Sequence, residues 1–230
     1  MDFHRGIILN IDKPPGWTSF DVVRVIRSLT RTQRVGHSGT LDPMAVGVLL
    51  ICTGKATRRV IELQKLEKEY EAEIVLGFET DSLDVTGSVV ATAKVQERWD
   101  QRLPDILPRF VGEIMQVPPI VSALKQGGKP LYKLARKGLQ IRLEPRPIQI
   151  NGIELLACEV DRFRIRVRCS KGTYVRSLAR DIAVQLGTRG TLSALVRTRI
   201  GPYTRKDAWT IAGFRGLLDT LQPAVMTPAT

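Results

Sequence analysis

Residues 163 to 187 read FRIRVRCSKGTYVRSLARDIAVQLG, and two periods meet in them. Phe163, Ile165, Val167 and Cys169 alternate with Arg164, Arg166 and Arg168, the two-residue repeat of a strand with one buried and one basic face. After a turn at Lys171-Gly172-Thr173 the period lengthens. Leu178, Ile182 and Leu186 recur every fourth residue and Gly187 stands where a helix stops, so a helix is predicted from about Tyr174 to Leu186, with Arg176 in its first turn.

Outward from this stretch, the same two signals recur without regular order. YEAEIVLG, residues 70 to 77, alternates as a half-buried strand with Tyr70, Ala72, Ile74 and Leu76 inward. GIILNID, residues 6 to 12, reads as a strand, and KPPGW after it is a turn that leaves Lys13 at a loop mouth. Thr18 with Asp21 is a capping-box pattern, and Val22, Ile26 and Leu29 follow at helical spacing, so a helix is predicted over about 19 to 29. VGVLLICTG, residues 46 to 54, is apolar throughout, and periodicity does not choose between a buried helix turn and a strand. Residues 78 to 93 read as a polar loop with a turn at Thr86-Gly87 and then a short strand. PDILPRFVGEI suggests a short helix from Pro104, with Leu107 and Phe110 inward. Helices and strands without βαβ rhythm favour an α+β fold.

Residues 117 to 147 are bracketed by prolines and centred on Gln126-Gly127-Gly128, with room for a short helix from Pro130 to Gly138. Thirty-odd residues is long for a connector, and loops of that length are commonly functional or disordered. The tail, 202 to 230, holds one amphipathic stretch around Ile211 to Leu221. A single domain over 1 to 230 is expected.

The chain has 230 residues, of which 43% are hydrophobic, and its longest apolar run, Val46 to Cys52, is far too short to cross a bilayer. The start lacks a signal peptide's apolar core, so a soluble, cytoplasmic protein with no membrane partner is expected. Cys52, Cys158 and Cys169 are odd in number and lack CxxC spacing, and the two histidines are His4 and His37, so neither a disulfide framework nor a metal site is expected. Charge is more informative: 35 basic residues against 23 acidic leave a formal +12, which suits a polyanionic partner. Lys125, Lys129, Lys133, Arg136, Lys137, Arg142 and Arg146 face one acid, Glu144, and residues 162 to 180 carry seven cations and no acid. Both segments read as phosphate-facing. With only three Trp, four Tyr and six Phe, base stacking is not the main grip.

One carboxylate stands out. In GHSGTLDPMAVGVL, residues 36 to 49, Asp42 precedes Pro43, which steers it from helical dihedrals, and Gly36 and Gly39 permit turns other residues resist. Taken alone, Asp-Pro is a turn dipeptide. With LNIDKPPGWTS, KEYEAEIVLG, CSKGTYVRSLARDIA and LVRTRIG, in that family's order over about residues 6 to 201, it resembles the bacterial tRNA pseudouridine synthase family of the TruB type.

The resemblance implies a pseudouridine synthase fold, a mixed, largely antiparallel sheet flanked by helices, with residues 117 to 147 as a basic thumb. It implies isomerisation of uridine 55 in the tRNA T-loop without a cofactor. Asp42 matches the aspartate that attacks or deprotonates the nucleotide, and Arg176 the arginine that pairs with it. Tyr70 matches the tyrosine that stacks on the flipped base and handles the C5 proton, and Leu195 a residue walling the uracil. His37 matches the histidine meeting the vacated space or the flipped nucleotides, and Lys13 a lysine at the site mouth, for phosphate or for loop support. Lys125, Lys129, Lys133 and Tyr174 are further RNA contacts by the same token. The chain ends about thirty residues after the RIGPY segment, so no C-terminal PUA-type domain is expected. A monomer acting on the tRNA T-arm without a protein partner is expected. The alternatives are an RNA-guided uridine isomerase within a complex and a non-catalytic RNA-binding or folding module. A zinc deaminase is excluded, since HxE and PCxxC are missing.

Overall fold

A computed structural model describes residues 2–120, 125–126, 129–130 and 143–221. The helix predicted from Pro130 to Gly138, Lys133, and the side chains of Lys125 and Lys129 lie outside the described part. The chain divides into two compact units, Met1–Lys65 with Arg197–Thr230, and Leu66–Val196.

In the first unit, β1 (Ile8–Lys13) pairs antiparallel with β3 (Val46–Thr53), Ile8 opposite Cys52 and Lys13 opposite Gly47. The apolar run of β3 is thus a strand, and all of it after Val46 is buried, which is why it shows no alternation. The short β2 (Val35–His37) also pairs with β3. α1 (Ser19–Thr30) begins as predicted: the Thr18 side chain accepts from the Asp21 amide while the Asp21 carboxylate accepts from the Thr18 amide. Val22, Val23 and Ile26 on its inner face pack with Leu9, Ile11, Leu49, Ile51 and Phe214 into one core. Phe214 comes from the helix Ile211–Leu221, the amphipathic stretch of the tail, and meets Phe3 edge to face at 6.2 Å.

In the second unit, β4 (Lys68–Leu76) starts two residues before the predicted strand and alternates buried and half-buried along its length. It pairs antiparallel with β11 (Arg162–Cys169), β11 with the long β10 (Arg146–Cys158), and β10 with β7 (Gly112–Gln116). β12 (Gly190–Ile200) borders β4, and its residues from Arg197 belong to the first unit. In residues 78 to 93 the expected short strand is β6 (Val89–Thr92), and it forms a hairpin with β5 (Phe78–Thr80), which stands in place of expected loop. The helix expected from Pro104 instead begins earlier: α3, numbered after the short α2 (Val60–Lys65), spans Trp99–Ile106 with Pro104 inside. Trp99, Leu103 and Ile106 supply its buried side, and Trp99 packs on Phe163 at 5.9 Å. α4 (Val175–Gln185) ends before Gly187, whose φ is 81°. Within the insertion, β8 (Lys125–Gln126) pairs antiparallel with β9 (Lys129–Pro130). The helix Ile211–Leu221 is α5.

The basic face of β11 is not the bare cationic surface expected of it. Arg166 bonds Glu71 on β4 and Glu154 on β10, each at 2.8 Å, and Arg162 bonds Asp161 at 3.1 Å and lies 3.6 Å from Glu73. A segment without acids along the chain has them across the sheet.

Candidate active site

The Asp42 loop is fastened on both sides by the elements that precede it in sequence. Ser19, the first residue of α1, accepts from the Leu41 amide at 2.9 Å and donates to the Leu41 carbonyl at 3.3 Å. The Pro43 carbonyl accepts from the Gly16 amide at 2.9 Å and from the Lys13 ammonium at 3.2 Å. The Ala45 amide closes the turn onto the Asp42 carbonyl at 3.1 Å. Asp42 itself stays half-exposed on a backbone held from both sides.

Lys13 reaches this loop from the end of β1, fully buried, and also donates to the carbonyls of Trp17 at 2.6 Å and Pro14 at 3.0 Å. Three carbonyls use its three donors. Of the two roles expected for it, phosphate binding and loop support, these contacts are those of loop support. Burial pulls it down from 10.5 to about 8, against the opposing pull of the Asp42 carboxylate. Arg197, 1% exposed, ties the far side of the loop, its guanidinium donating to Val48 at 2.6 Å and to Gly39 at 3.2 Å. Gly47 is there for this contact. At φ 105° a Cβ would lie 2.2 Å from the Arg197 carbonyl oxygen. His37, half-buried at the end of β2, is held below the ordinary 6.5 by burial first and then by the Arg197 cation.

The second unit holds the other candidates. Tyr70 is the third residue of β4, 9% exposed, and Leu195 lies on β12, also buried. Arg176, 5% exposed, is the second residue of α4; it donates to the Ser82 carbonyl at 2.7 Å and lies 3.6 Å from the Asp84 carboxylate. Asp84 is buried, accepting from the Ser82 hydroxyl at 2.9 Å and the Thr86 amide at 3.0 Å. Its segment is locked to β12 by paired backbone bonds between Val85, Leu83 and Leu192. Tyr174 precedes α4, and its amide and carbonyl are both held by the Gln116 side chain, at 2.8 and 3.1 Å.

Sequence reasoning missed Arg197, Asp84 and Ser19. Arg197 carried a faint signal, a charge inside the alternation of LVRTRIG, and Asp84 another, the Asx turn latent in Asp-Val-Thr. Among the described residues no cluster of His, Cys, Asp and Glu could hold a metal ion.

A braced aspartate after GHSGTL, a buried tyrosine on a strand and a buried arginine opening a helix form a specific set. Residues 27–175 match the model of the TruB family of pseudouridylate synthases, N-terminal domain. The chain belongs to the TruB family. Relatives called tRNA pseudouridine synthase B share 44% identity in Phocaeicola vulgatus, over 95% of this chain and 96% of that protein, and 46% in Francisella philomiragia, over 93% and 70%. A crystal structure of a Cbf5-Nop10-Gar1 complex matches with a TM-score of 0.72 and 33% identity over 94% of this chain. An H/ACA RNP bound to a substrate RNA containing 2'-deoxyuridine matches at 0.70, with 29% identity over 97%. The chain spans 55% and 58% of those two solved chains. A TruB-family fold is thus a mixed, mostly antiparallel sheet with helices, as expected from sequence.

Proposed function

We propose that this protein isomerises uridine to pseudouridine at position 55 in the T-loop of tRNA, with Asp42 as the reacting carboxylate. The observation that carries the reading is a half-exposed carboxylate on a loop that Ser19, Gly16 and Lys13 hold rigid, in a chain of the TruB family. Preorganisation of this kind is what a positioned nucleophile or base needs.

The reaction balances without an oxidant or a cofactor. The N1–C1′ bond breaks, a C5–C1′ bond forms, one proton leaves C5 and one is taken up at N1. Asp42 attacks or deprotonates the nucleotide to start it. Tyr70 stacks on the extruded base and handles the C5 proton, Leu195 walls the uracil, and Arg176 stabilises the charge that gathers when RNA closes over the site. Extrusion from the T-loop costs a few kcal/mol, which RNA contacts offset. His37, Tyr174, Lys125, Lys129 and Lys133 are assigned to those contacts, the lysines on the basic thumb. The enzyme works as a cytoplasmic monomer, without a protein partner.

Release of tritium from a tRNA transcript carrying 5-tritiated uridine tests this. The unmodified protein should release one equivalent per tRNA, and Asp42→Asn should reduce the rate at least a thousandfold, on the order of the loss when a reacting group is removed. No release by the unmodified protein refutes the activity. Equal release by both refutes the role of Asp42. Release from a transcript lacking the T-loop uridine refutes the position.

A further inference from the structure

We infer a second RNA-phosphate site at the C-terminal end of α1, remote from Asp42 and built from Arg24, Arg27 and Arg31. These arginines follow one another at three- and four-residue spacing, so they share one face of the helix. With Ser28, Thr32 and Gln33 they line a groove of about 370 Å³ in which every lining side chain is a cation or a neutral hydrogen-bonding group. Asp21 lies against the groove only through Arg24, at 2.9 Å.

Two details point to an anionic occupant. The Arg27 Nε is buried and has no hydrogen-bond partner among the described residues; leaving a charged donor unsatisfied is costly, and a turn of the guanidinium towards a phosphate in the groove would satisfy it. Arg31 caps the helix at φ 50°, a left-handed conformation that glycine adopts at little cost and a residue with a Cβ does not. The negative helix terminus favours cations here, yet Arg27 already stands in that last turn, and the dipole does not call for an exposed arginine at the strained position beyond it.

The occupant is the phosphate backbone of the same RNA whose uridine enters the site, so the inference rests on the proposed function. Ser19 touches the Asp42 loop at one end of α1 and Arg31 closes the other. Twelve residues of helical rise separate them by about 18 Å, so the groove meets nucleotides well removed from the target.

Filter binding of a full-length tRNA transcript at several salt concentrations tests the site, with thermal unfolding in parallel. Arg24→Gln/Arg31→Gln should weaken binding roughly tenfold near 0.1 M salt and lower the slope of log affinity against log salt by about 1 per arginine. Arg31→Gly should weaken binding roughly fivefold while its melting temperature stays level or rises, since the strain is relieved. Affinity and slope unchanged in both variants would overturn the site, as would an affinity loss in Arg31→Gly matched by a fall in melting temperature. Tritium release by the unmodified protein is scored separately: if it is present while the groove variants bind normally, the groove fails and the activity stands.

Discussion

At the scale of single residues, Lys13 is the instructive case. It stands in a word that resembles a site lysine, and it is fully buried against three carbonyls. Burial lowers it to about 8, so between about pH 8 and 10.5 the unfolded chain binds a proton that the folded chain has released. Stability therefore rises with pH through that window, by up to about 1.4 kcal/mol per unit. Urea denaturation at pH 7.5 and 9.5 should show the unmodified protein gaining on a Lys13→Met variant at the higher pH; a constant difference would refute the burial. His37 behaves in the same sense, in a lower pH window. Held below 6.5 by burial and Arg197, it stays neutral while the unfolded chain takes up a proton, so stability falls as pH drops below about 6.5. His37→Gln should flatten that limb in a pH series of melting temperatures.

At the scale of elements, the site depends on how α1 starts and on how closely β3 lies to the end of β12. The capping box places Ser19 against Leu41, so Thr18→Ala should cost about 1 kcal/mol of stability in denaturant titration. It should also slow tritium release, because the loop bearing Asp42 loses its fixed anchor. Gly47→Ala sets a methyl 2.2 Å from the Arg197 carbonyl oxygen in a backbone conformation hostile to side chains. It should destabilise by about 3 kcal/mol or more, read in the same titration. The β11 arginines call for a different expectation. Since Arg166 is shared between Glu71 and Glu154 at the surface, Arg166→Gln should change stability by less than about 1 kcal/mol and leave the salt dependence of tRNA binding where it was.

At the scale of the whole molecule, a formal +12 on 230 residues makes binding to RNA strongly salt-dependent whatever the sequence bound. A tRNA without its T-loop uridine should bind about as tightly as the substrate at low salt in filter binding, and yield no tritium. Charge brings the partner without reading its sequence.

The amino-acid sequence by itself determined the strands that alternate, the three amphipathic helices, the α1 cap, and the five words that mark the family, because each is written in neighbouring residues. The two-sided burial of β3 escaped it, since a strand covered on both faces has no period to read. Tertiary structure alone decided that Lys13 is buried against three carbonyls, that Arg176 meets Asp84 and a carbonyl 94 residues away, and that acids from β4 and β10 pair with Arg166 of β11. Desolvation and ion pairing are set by which distant segments pack together, and local pattern carries no record of that.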